Sequence, residues 1–275
     1  VSVSVIVICA LLGFVAGSIV WTLARNQSTR RSLFSPPRCE NKLAISFSRK
    51  RLSAEADTAA SDASATSGET VCGEPLPILA WLPLYGLSTA FRCPRCGTVQ
   101  PKWRGIVELL TVLYFVVAAA RIDDGLELTS VLVFSLPLLM ILLVDTWTRL
   151  IYTNVIYLGI VAALLFAVID DGLGGLFNAA LAMVVALGIF MVFFALAGVL
   201  YRSVAVVPFG RGDIYLAVMI AAMVRLDDVL RALFLGIVLA AVGGVLLIAT
   251  KQVSRRQAMP YGPFLCLGAL IALIW

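Results

Sequence analysis

Eight apolar stretches punctuated by charge run through this chain, and they commit it to a bilayer before any single residue is considered. They lie approximately at residues 3–24, 105–121, 128–148, 151–169, 174–201, 206–224, 229–250 and 260–275. A spanning helix needs roughly 20 mainly apolar residues, and hydrocarbon tolerates only segments that satisfy their own backbone hydrogen bonds. The expected fold class is therefore an all-α membrane protein of about eight transmembrane helices. Composition agrees, with 61% hydrophobic and 13% charged residues, where soluble domains carry about 45–50% and about 25%. The stretch from Leu76 to Phe91 is apolar too, but Pro75, Pro77, Pro83 and Gly86 interrupt it, so it reads as a membrane-surface or domain-core segment. The first stretch is long for a signal-peptide core and lacks a preceding cation, so it is expected to stay as a helix.

The charges give these helices a direction. Arg25, Arg30, Arg31, Arg49, Lys50, Arg51, Arg92 and Arg104 all fall between the first and second stretches, and cationic loops stay in the cytoplasm. Alternation then puts Asp123 and Asp124, Asp170 and Asp171, and Asp227 and Asp228 in external loops, each with an acidic doublet, and puts both termini outside. This topology accounts for the net charge of +5; no motif that reads bases accompanies the cations, so nucleic acid is not an expected partner. Three parts follow: a first transmembrane helix at 1–24, a small cytoplasmic cysteine-containing domain at 25–104, and a seven-helix core at 105–275. Within the second part, residues 52–71 are rich in Ala, Ser and Thr without apolar period and read as a low-complexity insertion.

Histidine is absent, which excludes serine–histidine triads and histidine-ligated zinc proteases. Acids or thiols must carry any chemistry. A carboxylate in hydrocarbon needs a partner or a water-filled cavity, and outside the loops and the cytoplasmic segment only Glu108, Asp145 and Asp213 remain. Asp145 closes the third apolar run; Asp213 opens the sixth behind Gly210-Arg211-Gly212. Both fall at the cytoplasmic face in this topology. Two carboxylates that approach closely can share one proton and divide the labour of aspartyl peptide hydrolysis, and glycines beside one of them leave room for a substrate backbone. Position alone equally allows two interfacial acids, with Asp213 capping its helix.

Motif context separates these readings. Gly210-Arg211-Gly212-Asp213 resembles the GxGD motif of intramembrane aspartyl proteases. Asp145 matches the first aspartate of the prepilin peptidases (type IV leader peptidases), and Pro260-Tyr261-Gly262-Pro263-Phe264-Leu265 resembles their last-helix sequence. Gly17-Ser18, Leu76 to Leu82, Cys93-Pro94-Arg95-Cys96-Gly97 and Val107 to Thr111 resemble further family segments in the family's order. The resemblance implies a multi-pass protein of the bacterial inner membrane, with its cysteine domain and active site at the cytoplasmic face. It implies that Asp145 and Asp213 are catalytic and that type IV prepilins or pseudopilins are the substrates. It also implies a structural zinc held by Cys93 and Cys96 together with Cys39 and Cys72, which the insertion separates, and a second activity that methylates the new N-terminus with S-adenosylmethionine, with Glu108 associated. Oligomeric state is not implied.

The resemblance departs at named places. Trp21 stands where the first-helix motif has asparagine, which puts the methyltransferase in question. Tyr152, Thr153 and Asn154 replace the proline and acid that follow the first aspartate, and Tyr215 replaces a lysine two residues after the second. A catalytically divergent assembly or scaffold protein retaining the peptidase fold is thus the alternative.

Overall fold

The computed structural model describes residues 2–29, 93, 103–200, 210–250 and 261–275. Six helices follow in order: α1 (Val3–Ser28), α2 (Trp103–Arg121), α3 (Gly125–Thr148), α4 (Thr153–Leu200), α5 (Arg211–Ala249) and α6 (Gly262–Ala272). No strand occurs among the described residues. Five of the six are long and apolar enough to cross a membrane, and α6 is a shorter apolar helix. Side chains such as Leu11, Leu113, Phe177 and Phe234 are exposed, as expected where lipid is the solvent. The insertion at 52–71 and the cysteine-containing segment lie outside the described residues except for Cys93, which is buried.

At 48 residues, α4 would be about 72 Å long if straight, more than twice the hydrocarbon thickness. It breaks instead at Asp171 and at Gly172, whose φ of 56° suits glycine. A Cβ on Gly175 would press on the carbonyl oxygen of Ala167, so the chain doubles back here and 153–170 and 173–200 are two antiparallel helices. In α5 the break falls at Arg225, a non-glycine residue with φ 58°. Two contacts hold it there. The Arg225 guanidinium donates to Asp170 at 2.6 Å, and the Leu226 N–H, which the break deprives of a helical acceptor, donates to Asn178 Oδ1 at 2.7 Å. Asp170 and Asn178 flank the α4 break, so the two reversals secure each other. Both fall where the sequence places acidic loops.

After its break α5 returns beside α6. Arg231 donates to the Ala272 carbonyl at 3.0 Å, and Gly243 lies against Phe264. A core of Leu138, Ile156, Phe190, Leu216, Met219 and Ile220 fills the space among α3 to α6. A separate cluster of Cys9, Phe115, Ala118, Ile122 and Val131 joins α1, α2 and α3. The three acidic doublets meet at one end, where Asp123, Asp124, Asp170, Asp227 and Asp228 line a cavity of about 670 Å³. From Gly125 at that end, α3 runs roughly 30 Å to Asp145 at the other.

Close approach of α1 and α2 depends on Gly13 and Gly17, one turn apart. A Cβ on Gly13 would lie 2.8 Å from Val112 Cα, and one on Gly17 2.9 Å from Glu108 Cα. Small residues four apart are what helix pairing in lipid requires. Gly13→Ala is therefore expected to cost about 1–3 kcal/mol through overpacking and to lower the melting temperature of the detergent-purified protein. Gly188→Ala, where an added Cβ meets nothing within 4 Å, should leave it unchanged or raise it.

Candidate active site

Three helix ends converge on the two acids. Asp145 lies in the last turn of α3, which stops because Arg149 adopts the left-handed conformation (φ 55°, ψ 31°) while its N–H still bonds to the Asp145 carbonyl at 2.9 Å. Asp213 lies in the first turn of α5. Its side-chain Oδ2 accepts the Gly210 N–H at 3.1 Å while its own N–H donates to the Gly210 carbonyl at 3.1 Å, a reciprocal closure of the helix start. The third end is the start of α6, with Pro263 in its first turn. There Gly262 packs directly against the Asp145 carboxylate, so an acid at the unfavourable end of its own helix faces the favourable end of another.

Asp145 is 4% and Asp213 8% exposed, yet the carboxylates lie close enough to feel each other's charge. Cys266, one turn along α6 from Gly262 and fully buried, is within electrostatic reach of both. Glycines make the approach feasible. A Cβ on Gly262 would stand 2.5 Å from Asp145 Oδ2, and one on Gly210 3.3 Å from Asp213 Oδ2. The nearest neighbour of Gly212 is the Ile151 side chain, 3.1 Å from an added Cβ, and Ile151 Cδ1 is 3.3 Å from one on Gly262. Ile151 thus sits between the two glycines. Arg211 is exposed at the mouth of this cluster.

The sequence-derived pair is therefore brought together with Gly210 and Gly212 beside it. Gly262 enters the sequence reading only within the Pro260 to Leu265 motif, without a role of its own, although a Gly-Pro step opening the last apolar run marks a helix start. Glu108 lies on a different seam, between α1 and α2. Arg104 Nε donates to Glu108 Oε1 at 2.9 Å and Arg104 Nη2 to Ser18 Oγ at 2.6 Å, with all three residues at most 1% exposed. Trp21, at the place of the family's asparagine, is buried and meets Trp147 edge to face at 5.0 Å. Of the four candidate zinc ligands only Cys93 is described; Cys39, Cys72 and Cys96 lie outside the described residues, and no group of metal-ligating side chains gathers among the described ones.

A second polar feature adjoins the acids. Gln27, Met140, Ile141, Val144, Leu150, Ile151, Tyr152 and Val155 enclose a narrow crevice with no room for a water molecule. The Tyr152 hydroxyl donates to the Gln27 backbone carbonyl at 2.9 Å, but Gln27 Oε1 is buried with no hydrogen-bond partner. Leaving such an acceptor unsatisfied costs about 1–3 kcal/mol.

Comparison with known proteins finds relatives that share one name. Over 205 residues the chain is 25% identical to the prepilin leader peptidase/N-methyltransferase of Bacillus subtilis, covering 74% of this chain and 76% of the relative. The protein of the same name from Aeromonas salmonicida is 26% identical over 202 residues, 74% of this chain and 66% of the relative. That from Pseudomonas aeruginosa is 26% identical over 208 residues, 74% and 67%. The chain is thus similar to prepilin leader peptidase/N-methyltransferases over about three quarters of its length. No protein-family model and no solved structure matches it. The family resemblance read from the motifs therefore stands, and the aspartates, the glycines and the α1–α2 seam are features of a prepilin peptidase relative.

The buried Arg104–Glu108 pair carries a stability prediction. Removing one partner of such a pair is far more costly than replacing both with apolar residues. Arg104→Met should destabilise the protein by about 3–5 kcal/mol, and adding Glu108→Leu should recover a substantial part of that loss, as read by thermal denaturation in detergent.

Proposed function

We propose that the chain is a membrane aspartyl endopeptidase that removes the leader of type IV prepilin or pseudopilin substrates at the cytoplasmic face of a bacterial inner membrane. One observation carries the proposal: in a prepilin peptidase relative, three helix ends bring two buried carboxylates within electrostatic reach of each other. The cationic segment at 25–104 supports the cytoplasmic placement, because the acidic doublets gather at the end away from the aspartates.

In this reaction the pair shares one proton. The ionised carboxylate takes a proton from water as the water oxygen attacks the scissile carbonyl carbon, and the protonated carboxyl gives its proton to the carbonyl oxygen. Collapse of the tetrahedral intermediate breaks the C–N bond: the leaving nitrogen receives the proton taken from water, and a hydroxyl of the intermediate returns its proton to the other carboxylate as the carbonyl re-forms. The Gly210 N–H holds the Asp213 carboxylate, and the start of α6 at Gly262 packs against that of Asp145.

The relatives' name also includes N-methyltransferase. Among the described residues, Glu108 is enclosed with Arg104 and Ser18, and Trp21 fills its place against Trp147. N-methylation of the new N-terminus with S-adenosylmethionine stays part of the proposal, with Glu108 as the associated acid. A structural zinc on Cys39, Cys72, Cys93 and Cys96 remains part of the proposal, to be tested by metal analysis of the purified chain: about one zinc per chain is expected, and sub-stoichiometric zinc removes it.

Asp145→Asn and Asp213→Asn should each reduce cleavage of a coexpressed prepilin by about 10²–10⁴-fold while the protein still accumulates in the membrane. Gly262→Ala should lower it by about 10²-fold through displacement of the Asp145 carboxylate, and Gly210→Ala by less. Undiminished processing by either Asn variant would favour the scaffold reading instead.

A further inference from the structure

Exposure falls in steps on the way to the acid pair. Gly210, Arg211 and Leu150 are exposed, Gly212 and Ile151 are half-buried, and Gly262, Asp145 and Asp213 are buried. A peptide bond that reaches the carboxylates past Gly210 and Arg211 therefore comes up against the half-buried pair. Of these two, only Ile151 presents a side chain. Its Cβ lies 3.1 Å from a Cβ built on Gly212, and its Cδ1 lies 3.3 Å from one built on Gly262. The same point beside Gly262 is 2.5 Å from Asp145 Oδ2. Ile151 Cδ1 and the Asp145 carboxylate thus border one small space, which exists because position 262 carries no side chain.

Resting on the peptidase reading above, we propose that Ile151 is a specificity-determining residue: it walls the place that receives the substrate residue next to the cut bond and limits the size of that residue's side chain. The glycines admit substrate backbone, and Ile151 sets how much can accompany it. The two ends of this side chain differ in freedom. Its Cβ is fixed by a linker anchored at both ends. Arg149, in its left-handed conformation, turns the chain off the end of α3, and the Tyr152 hydroxyl donates to the Gln27 carbonyl of α1 at 2.9 Å. The β-branch is stiff at χ1. Cδ1, by contrast, moves with χ2 alone among its staggered wells. That rotation takes Cδ1 away from Gly262 and frees about the volume of a methyl group beside Asp145, while the rest of the side chain stays in place. A substrate side chain longer than this meets the wall. Because the wall is apolar it offers no hydrogen bond, so it selects by size.

The test uses the full-length protein in lipid nanodiscs and two series of synthetic prepilin-like peptides, in which the residue before or the residue after the cut bond is Gly, Ala, Val or Leu. In one series the wild-type kcat/KM should fall about ten- to a hundredfold from Ala to Val. Ile151→Val removes only Cδ1, and Ile151→Ala removes most of the wall. In that series alone, the ratio of kcat/KM for the Val peptide to that for the Ala peptide should rise about tenfold in Ile151→Val and further in Ile151→Ala. A ratio taken within one enzyme cancels any general loss of activity from looser packing, which matters because Ile151 also rests against the core. If Ile151→Ala does not fold, Ile151→Val carries the comparison. A wild type indifferent to size, ratios unchanged in the variants, or ratios raised equally in both series overturn the proposal and leave the peptidase reading intact. Failure of the wild type to cleave any of the peptides, or cleavage by Asp145→Asn, instead overturns the peptidase reading, and the role of Ile151 falls with it.

Discussion

Two carboxylates held side by side in a protein bounded by hydrocarbon set the terms for the rest of this molecule. Desolvation and mutual repulsion oppose the arrangement, and bulk water is nearly excluded from both. What offsets these costs is the polar end of a helix beside each acid: the Gly210 N–H donates to Asp213 at the start of α5, and Asp145 lies against Gly262 at the start of α6. Gly262 can stand against Asp145 only because it lacks a Cβ, and a Cβ at Gly210 would crowd Asp213. The ends of α3, α5 and α6 are therefore fixed relative to one another by the acids. Arg149 in its left-handed conformation and Pro263 in the first turn of α6 stop and start helices at the positions this requires.

The α1–α2 pair meets the same problem by another route. Here the buried carboxylate of Glu108 has a guanidinium, and the guanidinium has a serine hydroxyl. Gly13 and Gly17 let the backbones approach closely enough for these bonds. That seam also sets the register of α1 against α3 and the linker that follows it. One turn beyond Gly17, Trp21 meets Trp147, and at the end of the helix the Gln27 carbonyl receives the Tyr152 hydroxyl. The position of the crevice beside Asp145 thus depends on packing near the opposite part of α1.

Much of this was legible in the sequence because cost in a bilayer depends on residue type. The apolar runs, the acids outside loops and the Gly210-Arg211-Gly212-Asp213 motif needed no tertiary information. The acidic doublets are likewise gathered at one end, and the breaks at Asp171–Gly172 and Arg225 fall between runs recognised as separate. What escaped depends on which face of a helix meets which neighbour. These helices are apolar nearly all round, so no polar face tells inside from outside, and the roles of Gly13 and Gly262 exist only once helices pair. Helix limits shifted for a related reason: α1 continues past residue 24 through Arg25 to Ser28, because polar residues at the end of a span extend a helix as readily as they leave it.

The cavity at the far end explains how short helices can serve a membrane core. From Arg211 to its break α5 runs only about 21 Å, and the 11-residue α6 about 16 Å, both less than a hydrocarbon thickness of about 30 Å. Neither has to cross alone. Met223 and Val224 at the end of the first part of α5, and Ala272 to Trp275 at the end of α6, line the cavity, whose walls reach inward along α3 to Phe134. Exposed backbone at these ends therefore faces a polar recess lined by acids and by Arg225 and Arg231 rather than lipid, the condition under which irregular backbone is tolerated at depth. Between recess and acid pair lies a plug of Leu138, Leu216, Met219 and Ile220, all at most 1% exposed. A short first half of α5 thus lets Asp213 open a helix beside Asp145 while its far end is still relieved by polar surroundings. The Arg225–Asp170 bond, by fixing where that half ends, holds the geometry of the opposite face.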